Sequence, residues 1–149
     1  MTGYHKILVP TDFSPHSSEA IRHAADLCQH YEATLELIHV YNPIYYPLPD
    51  GYVLYSASQL SALLNTFDKQ LARSKEEALA AGAHEVETRL LQGVPAQEIV
   101  SVATDGAFDL IVMGTHGRTG FQHALVGSVA EKVVRTAPCA VLTVCLRDA

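Results

Sequence analysis

The residues best suited to chemistry lie in one glycine-rich stretch, GTHGRTGFQHALVGS, at residues 114–128. Gly114 and Gly117 are three residues apart, and glycine lets backbone amides approach a phosphate closely and adopt positive φ. Gly127 and Ser128 stand where a helix is predicted to begin, and the N–H groups of a helix N-terminus stabilise anions. The spacing therefore favours phosphate binding, and a flexible loop without a ligand remains the alternative.

The side chains of this stretch do not define a catalytic centre. Arg118 can meet phosphate charge or can be an ordinary surface charge, and the sequence leaves both interpretations open. His116 lies within a glycine loop, where a histidine more often packs or contacts solvent than acts as a base. The stretch lacks the dinucleotide fingerprint, the phosphate-loop motif and the nucleophile elbow. The eight histidines and three cysteines show no metal-ligand spacing.

Five apolar runs alternate with four amphipathic segments and must position this stretch. The predicted strands are residues 6–10, 34–41, 86–92, 108–114 and 139–146. The predicted helices are the segment that follows the N-cap Ser14 and Pro15, residues 58–81 up to Gly82, the segment from Pro95 to Ala103, and residues 129–136. This alternation predicts an α/β fold with a parallel sheet and helices on both faces, in one domain over residues 1–149.

The order of the strands decides which loops meet. If it is 3-2-1-4-5, a common order for five strands, the first and fourth strands are neighbours where the order reverses. Ligands of open parallel sheets bind at that point, beyond the carboxyl ends of the strands. Asp12 and Gly114 then face each other across one crevice. Asp12 can alternatively be only a turn residue that bonds its own backbone.

One segment breaks the alternation of strands and helices. Residues 42–56 contain three prolines and four tyrosines, which predicts an ordered aromatic loop. Such a loop is either a lid or partner surface, or a cover for the edge of the core.

The composition narrows the class of protein. The 149 residues carry a net charge of −6 without a basic stripe, so no nucleic-acid partner is expected. No run reaches the roughly 18 apolar residues of a membrane helix, so no membrane association is expected. The odd number of cysteines suits buried side chains in a reducing compartment, and a cytoplasmic location is expected. The apolar last strand is a predicted edge that invites pairing with a second copy.

The whole chain resembles the universal stress protein family. Gly114, Gly117, Gly127 and Ser128 fit its nucleotide-binding signature, G-x2-G-x9-G-[ST]. The segments KILVPTDFS, LIHVY, GVPAQEI and DLIVMGTHGRTG are similar to other typical family segments. The resemblance implies the sheet order 3-2-1-4-5 and a homodimer joined through the last strand, Ala140 to Val144.

The resemblance also implies a ligand, ATP, with Mg²⁺ held by its phosphates. The residues that it assigns to ATP binding are Pro10, Thr11, Asp12, Val40, Met113, Gly114, Gly117, Gly127, Ser128 and Val129. Arg118 is added as a candidate for the phosphates because of its charge and its place in the loop. Asp12 is expected near the ribose, and Val40 is expected to meet adenine through its backbone. A Gly127→Val side chain is expected to fill the phosphate position without disturbing the fold.

Three hypotheses for function follow. The first is an ATP-binding regulatory dimer in the stress response, in which the nucleotide changes the surface shown to a partner. The second is a slow ATPase or a self-phosphorylating enzyme, for which the sequence offers Arg118 but no obvious base. The third is a dimeric stress adaptor whose nucleotide site is idle.

Overall fold

The computed structural model describes residues 3–42, 47–48, 51–52, 55–116 and 126–146. Five strands form one sheet: β1 (Lys6–Pro10), β2 (Thr34–Tyr41), β3 (Val86–Gln92), β4 (Leu110–Gly114) and β5 (Ala140–Val144). Their order is β3-β2-β1-β4-β5, and every neighbouring pair is parallel. The predicted order 3-2-1-4-5 is confirmed.

Four helices connect these strands: α1 (Pro15–Tyr31), α2 (Ala57–Ala80), α3 (Pro95–Asp105) and α4 (Ser128–Thr136). The side chain of Ser14 caps α1, because its Oγ accepts a hydrogen bond from Ser17 N at 3.3 Å. Ser56 and Gln59 form a capping box at the start of α2. Gly82, just beyond α2, has a φ of 113°, which confirms it as the residue that ends this helix.

The sheet is covered on both faces, as predicted. Alternate residues of β1 point to opposite faces: Ile7 packs with residues of α1 and α2, whereas Leu8 packs with residues of α3 and α4. The central strands are therefore apolar on both sides, which is the pattern of a buried parallel strand. This burial fixes the register of the sheet and, with it, the positions of the loops at its carboxyl edge.

Three predicted strand boundaries are wrong: the start of β4 and both ends of β5, which runs from Ala140 to Val144. β4 begins at Leu110 rather than at residue 108, because the Asp109 carboxylate accepts hydrogen bonds from the backbone of His5 at 2.8 Å and Lys6 at 3.2 Å. The residue before Phe108, Ala107, has a φ of 52°, which is not a strand conformation. β5 is also shorter than predicted, and it ends at Val144 rather than at residue 146.

The segment predicted as an aromatic loop contains a short antiparallel ribbon. Residues 47–48 pair with residues 51–52. Residues 43–46, 49–50 and 53–54 lie outside the described residues, so the lid interpretation of this segment stays a prediction.

The observed burial of side chains agrees in part with the burial expected from the sequence. Phe67, Leu71 and Ala78 of α2 are buried. The expectation that all three cysteines are buried is wrong, because only Cys28 is buried and Cys145 is exposed at the end of the edge strand. No helix in the described part of the chain has the length and apolar character needed to cross a membrane.

Candidate functional site

The carboxyl ends of β2, β1 and β4 lie side by side. Pro10 pairs with Ile38 of β2, and Leu8 pairs with Ile111 of β4. In this register the end of β1 is level with Met113. The strand order reverses between β1 and β4, so the crevice beyond their ends is the switch point at which ligands of such sheets bind. The structure thus brings together the two loops that the sequence placed opposite each other.

Asp12 is held by the first turn of α1. Its Oδ1 accepts hydrogen bonds from Ser17 Oγ at 2.6 Å and from Ser14 N at 3.0 Å. Ser17 Oγ in turn accepts a hydrogen bond from Asp12 N at 3.1 Å. Asp12 therefore makes the contacts expected of a turn residue that bonds the nearby backbone. The same contacts fix its carboxylate at the mouth of the crevice. Sequence reasoning missed Ser17, because nothing local marks a hydroxyl five residues away as a partner.

The turn after Asp12 is anchored by aromatic rings. Phe13 has a φ of 64°, a left-handed conformation that costs roughly 1–2 kcal/mol for a residue with a side chain. Its ring centroid lies 4.5 Å from that of His39, which lies 4.5 Å from that of Phe67. Tyr41 packs against Phe67 at 5.7 Å. We call these four residues the aromatic cluster, and their packing offsets the strain at Phe13.

Gly114 is required by close packing. A Cβ at this position would lie 2.9 Å from His16 Cβ and 3.1 Å from the backbone carbonyl atoms of His16. The first turn of α1 therefore crosses directly over the end of β4. Gly114 therefore serves close approach rather than an unusual backbone conformation, since among the described glycines only Gly82 and Gly93 have positive φ.

Two histidines border this crossing. The ring centroids of His16 and His116 are 5.7 Å apart. Nδ1 of His116 lies 3.1 Å from Thr115 Oγ1. Nδ1 of His16 is buried and makes no hydrogen bond to any residue that the structure describes.

Gly127 also has a packing role. Its N–H donates to the carbonyl of Thr115 at 2.5 Å, and a Cβ on Gly127 would lie 2.9 Å from that carbonyl oxygen. A valine side chain at this position would start against backbone atoms of Thr115 and His116. The expectation that Gly127→Val leaves the fold undisturbed is therefore wrong, because the backbone itself must move.

The N-terminus of α4 has no side-chain cap. Its N-cap residue is Gly127, whereas α1 and α2 are capped by serine side chains. Ser128 is exposed at the first helical position, and Val129 packs against the core. The first amide groups of a helix have no intrahelical acceptor. The bond from Gly127 to Thr115 holds these amide groups beside the carboxyl end of β4.

Val40 presents backbone groups to the same crevice. Thr11 N donates to Ile38 O at 2.8 Å, so the backbone groups of Ile38 face β1. Backbone groups alternate in direction along a strand, so those of Val40 face the same way, beyond the last residue of β1. Across residues 3–42, 55–116 and 126–146, no hydrogen bond to the Val40 N–H or C=O is found.

The remaining predicted site residues either lie at the bottom of the crevice or fall outside the described ranges. Pro10 is the last residue of β1, Thr11 follows it, and both Thr11 and Met113 are buried. Gly117 and Arg118 lie outside the described residues, as do Gly120 and His123. Within the ranges that the structure describes, no group of three or more potential metal-ligating side chains occurs.

The fold defines an open α/β protein with a crevice at its topological switch point. Residues 3–144 match the Universal stress protein family, and the chain belongs to this family. Universal stress protein MJ0531 of Methanocaldococcus jannaschii is 38% identical over 143 residues, which cover 95% of this chain and 82% of that protein. The resemblance found in the sequence is confirmed.

Two solved structures are similar over nearly the full chain. Universal stress protein UspA from Lactobacillus plantarum has a TM-score of 0.81 and 27% identity, covering 97% of this chain and 99% of that chain. The crystal structure of a universal stress protein in complex with cAMP has a TM-score of 0.76 and 26% identity, covering 97% and 98%. That second relative binds an adenine nucleotide.

Proposed function

We propose that this chain binds ATP with Mg²⁺ in the crevice between β1 and β4 and acts as a nucleotide-dependent regulatory dimer in the stress response. The observation that carries this proposal is the N-terminus of α4, which has no side-chain cap and is held at the switch point of the sheet. Helix N-termini at such points stabilise phosphate groups. The complex of a relative with cAMP supports an adenine nucleotide as the ligand.

The phosphates would lie against α4. The amide groups of Ser128 and Val129 and the hydroxyl of Ser128 supply donors, and the signature assigns Gly117 to the same phosphates. We propose that the positive charge of Arg118 adds to these contacts. Amide and hydroxyl donors suit an anion rather than a bare cation. Mg²⁺ would therefore be carried by the phosphate oxygens, where it neutralises part of their charge.

The adenosine would lie toward β2. The Val40 N–H can donate to N1 of adenine, and the Val40 C=O can accept from its amino group. The Asp12 carboxylate, which Ser14 and Ser17 orient, can accept a hydrogen bond from a ribose hydroxyl. The direction from β2 to α4 then matches the direction from base to phosphate in the nucleotide.

The proposed dimer uses the free edge of the sheet. The Val144 carbonyl accepts from Thr115 N at 3.0 Å, so its backbone groups and those of Leu142 face β4. By alternation, the backbone groups of Val141 and Thr143 face outward, where a second copy of β5 can pair with them. The Leu142 side chain is 38% exposed and would lose water on pairing. A homodimer through Ala140 to Val144 is therefore proposed.

Calorimetric titration with ATP, ADP and AMP, each with and without Mg²⁺, tests the proposal. We expect ATP to bind and Mg²⁺ to tighten its binding, because the metal neutralises charge on the phosphates. No heat and no thermal shift with any of these nucleotides would refute nucleotide binding and favour the adaptor with an idle site. Phosphate release far above a boiled control would favour the ATPase instead.

A further inference from the structure

The ladder between β1 and β2 stops one hydrogen bond early. Thr11 N donates to Ile38 O at 2.8 Å, as in a regular parallel pair. The next bond of such a ladder would run from Val40 N to the Thr11 carbonyl. The Thr11 carbonyl instead faces the imidazole of His39, whose Nδ1 lies 2.7 Å away. Because a carbonyl oxygen only accepts, the His39 Nδ1 carries a proton and donates.

Packing fixes the imidazole in this position. His39 is only 8% exposed, and its ring packs against those of Phe13 and Phe67, with centroids 4.5 Å from each. The side chain of Val40 lies on the opposite face of β2, where it packs against the core between the sheet and helices α3 and α4. The side chain of His39 and the backbone of Val40 thus compete for the same carbonyl oxygen, and the aromatic cluster favours His39.

We propose that His39 is a positioning residue for base recognition. By taking the Thr11 carbonyl, it ends the β1–β2 ladder and leaves the Val40 N–H pointing into the crevice. The Phe13 N–H, which would be the next ladder donor to the Val40 C=O, donates instead to Thr11 Oγ1 at 3.0 Å. The link from Val40 to the base rests on the proposed function, whereas the competition for Thr11 does not.

The same arrangement sets base selectivity. Adenine presents an acceptor at N1 beside a donor at its amino group, which matches the N–H and C=O of one residue. Guanine presents a donor at N1 beside an acceptor at O6, so in the same pose both contacts are mismatched. Unpaired polar groups in a desolvated site weaken binding, and the free Val40 pair should therefore favour adenine over guanine.

Two substitutions separate positioning from packing. His39→Leu keeps an apolar side chain of similar size but removes the donor. His39→Asn restores a donor, because the amide nitrogen of asparagine lies at a similar distance from the backbone as Nδ1 of histidine. A residue that only fills the core would be replaced better by leucine than by asparagine. A residue that acts through its hydrogen bond would be replaced better by asparagine.

Amide hydrogen exchange of the nucleotide-free protein tests the competition directly. In the parent protein we expect the Val40 amide to exchange faster than that of Ile38, which lies within the ladder. In His39→Leu the Thr11 carbonyl becomes available to Val40, and exchange at Val40 should slow about tenfold. In His39→Asn it should remain fast. Unchanged exchange at Val40 in the leucine variant would overturn the inference, even if the protein bound no nucleotide.

Titrations with ATP and GTP test the consequence for the ligand. His39→Leu should weaken ATP binding about tenfold and bring the ratio of ATP to GTP affinity toward one, since the loss is confined to the base contacts. His39→Asn should preserve the ratio. Leu71→Ala is the matched control, because Leu71 is buried on the same face of the sheet and its loss lowers stability without touching Thr11. An unchanged ratio in His39→Leu would overturn the role in base recognition.

Discussion

Replacing Gly114 by alanine should disturb both the fold and the site through one contact. The new Cβ would lie 2.9 Å from His16 Cβ, and an ordinary contact begins at 3.4 Å, so α1 and β4 must separate by about 0.5 Å. β4 pairs with strands on both sides, so the first turn of α1 is the part that moves. Overpacking of this kind costs about 1–3 kcal/mol of unfolding free energy.

The same movement should weaken nucleotide binding. The first turn of α1 carries Ser17, which donates to Asp12 Oδ1 at 2.6 Å. Displacing this turn misplaces the Asp12 carboxylate relative to the ribose. Hydrogen bonds to charged groups contribute about 1.5–3 kcal/mol, so ATP affinity should fall at least about tenfold.

Urea unfolding and calorimetric titration of Gly114→Ala measure the two effects. Gly3→Ala is the matched control, because the nearest atom to a Cβ at Gly3 is 3.9 Å away and lies far from the crevice. An unfolding free energy equal to that of the parent would show that α1 does not press on β4. A destabilised variant with unchanged ATP affinity would show that the position of Asp12 does not matter for binding.

Four further changes test other parts of the structure. Gly127→Val should lose about 1–3 kcal/mol of unfolding free energy as well as ATP binding, and a fully stable variant would contradict the contact with Thr115. Ser17→Ala should cost about 1–3 kcal/mol in urea unfolding, because two partly buried hydrogen bonds of its hydroxyl are lost. A thiol reagent at neutral pH should label Cys145 first and Cys28 only on unfolding. The reason is that burial raises the Cys28 pKa to about 11 and keeps its thiol protonated. Rapid labelling of all three cysteines in the folded protein would contradict this. Leu142→Lys should convert the proposed dimer to a monomer in sedimentation velocity, and an unchanged dimer would place the interface elsewhere.

Much of the fold could be predicted from local patterns. The apolar runs identified all five strands of the main sheet, and Ser14, Pro15 and Gly82 marked helix ends correctly. The start of β4 could not be predicted, because it depends on Asp109 bonding to the backbone of His5 and Lys6, more than a hundred residues earlier in the chain. Local propensity carries no information about such a partner.

The sequence by itself determined the class of fold and the family, because periodicity and glycine spacing are local properties. Only the tertiary structure decided why Gly114 and Gly127 must be glycine. The sheet register and helix packing bring His16 and Thr115 against them. The same long-range packing places the His39 imidazole on the Thr11 carbonyl. Contacts of this kind depend on where distant segments meet, and that is settled only when both faces of the sheet are packed.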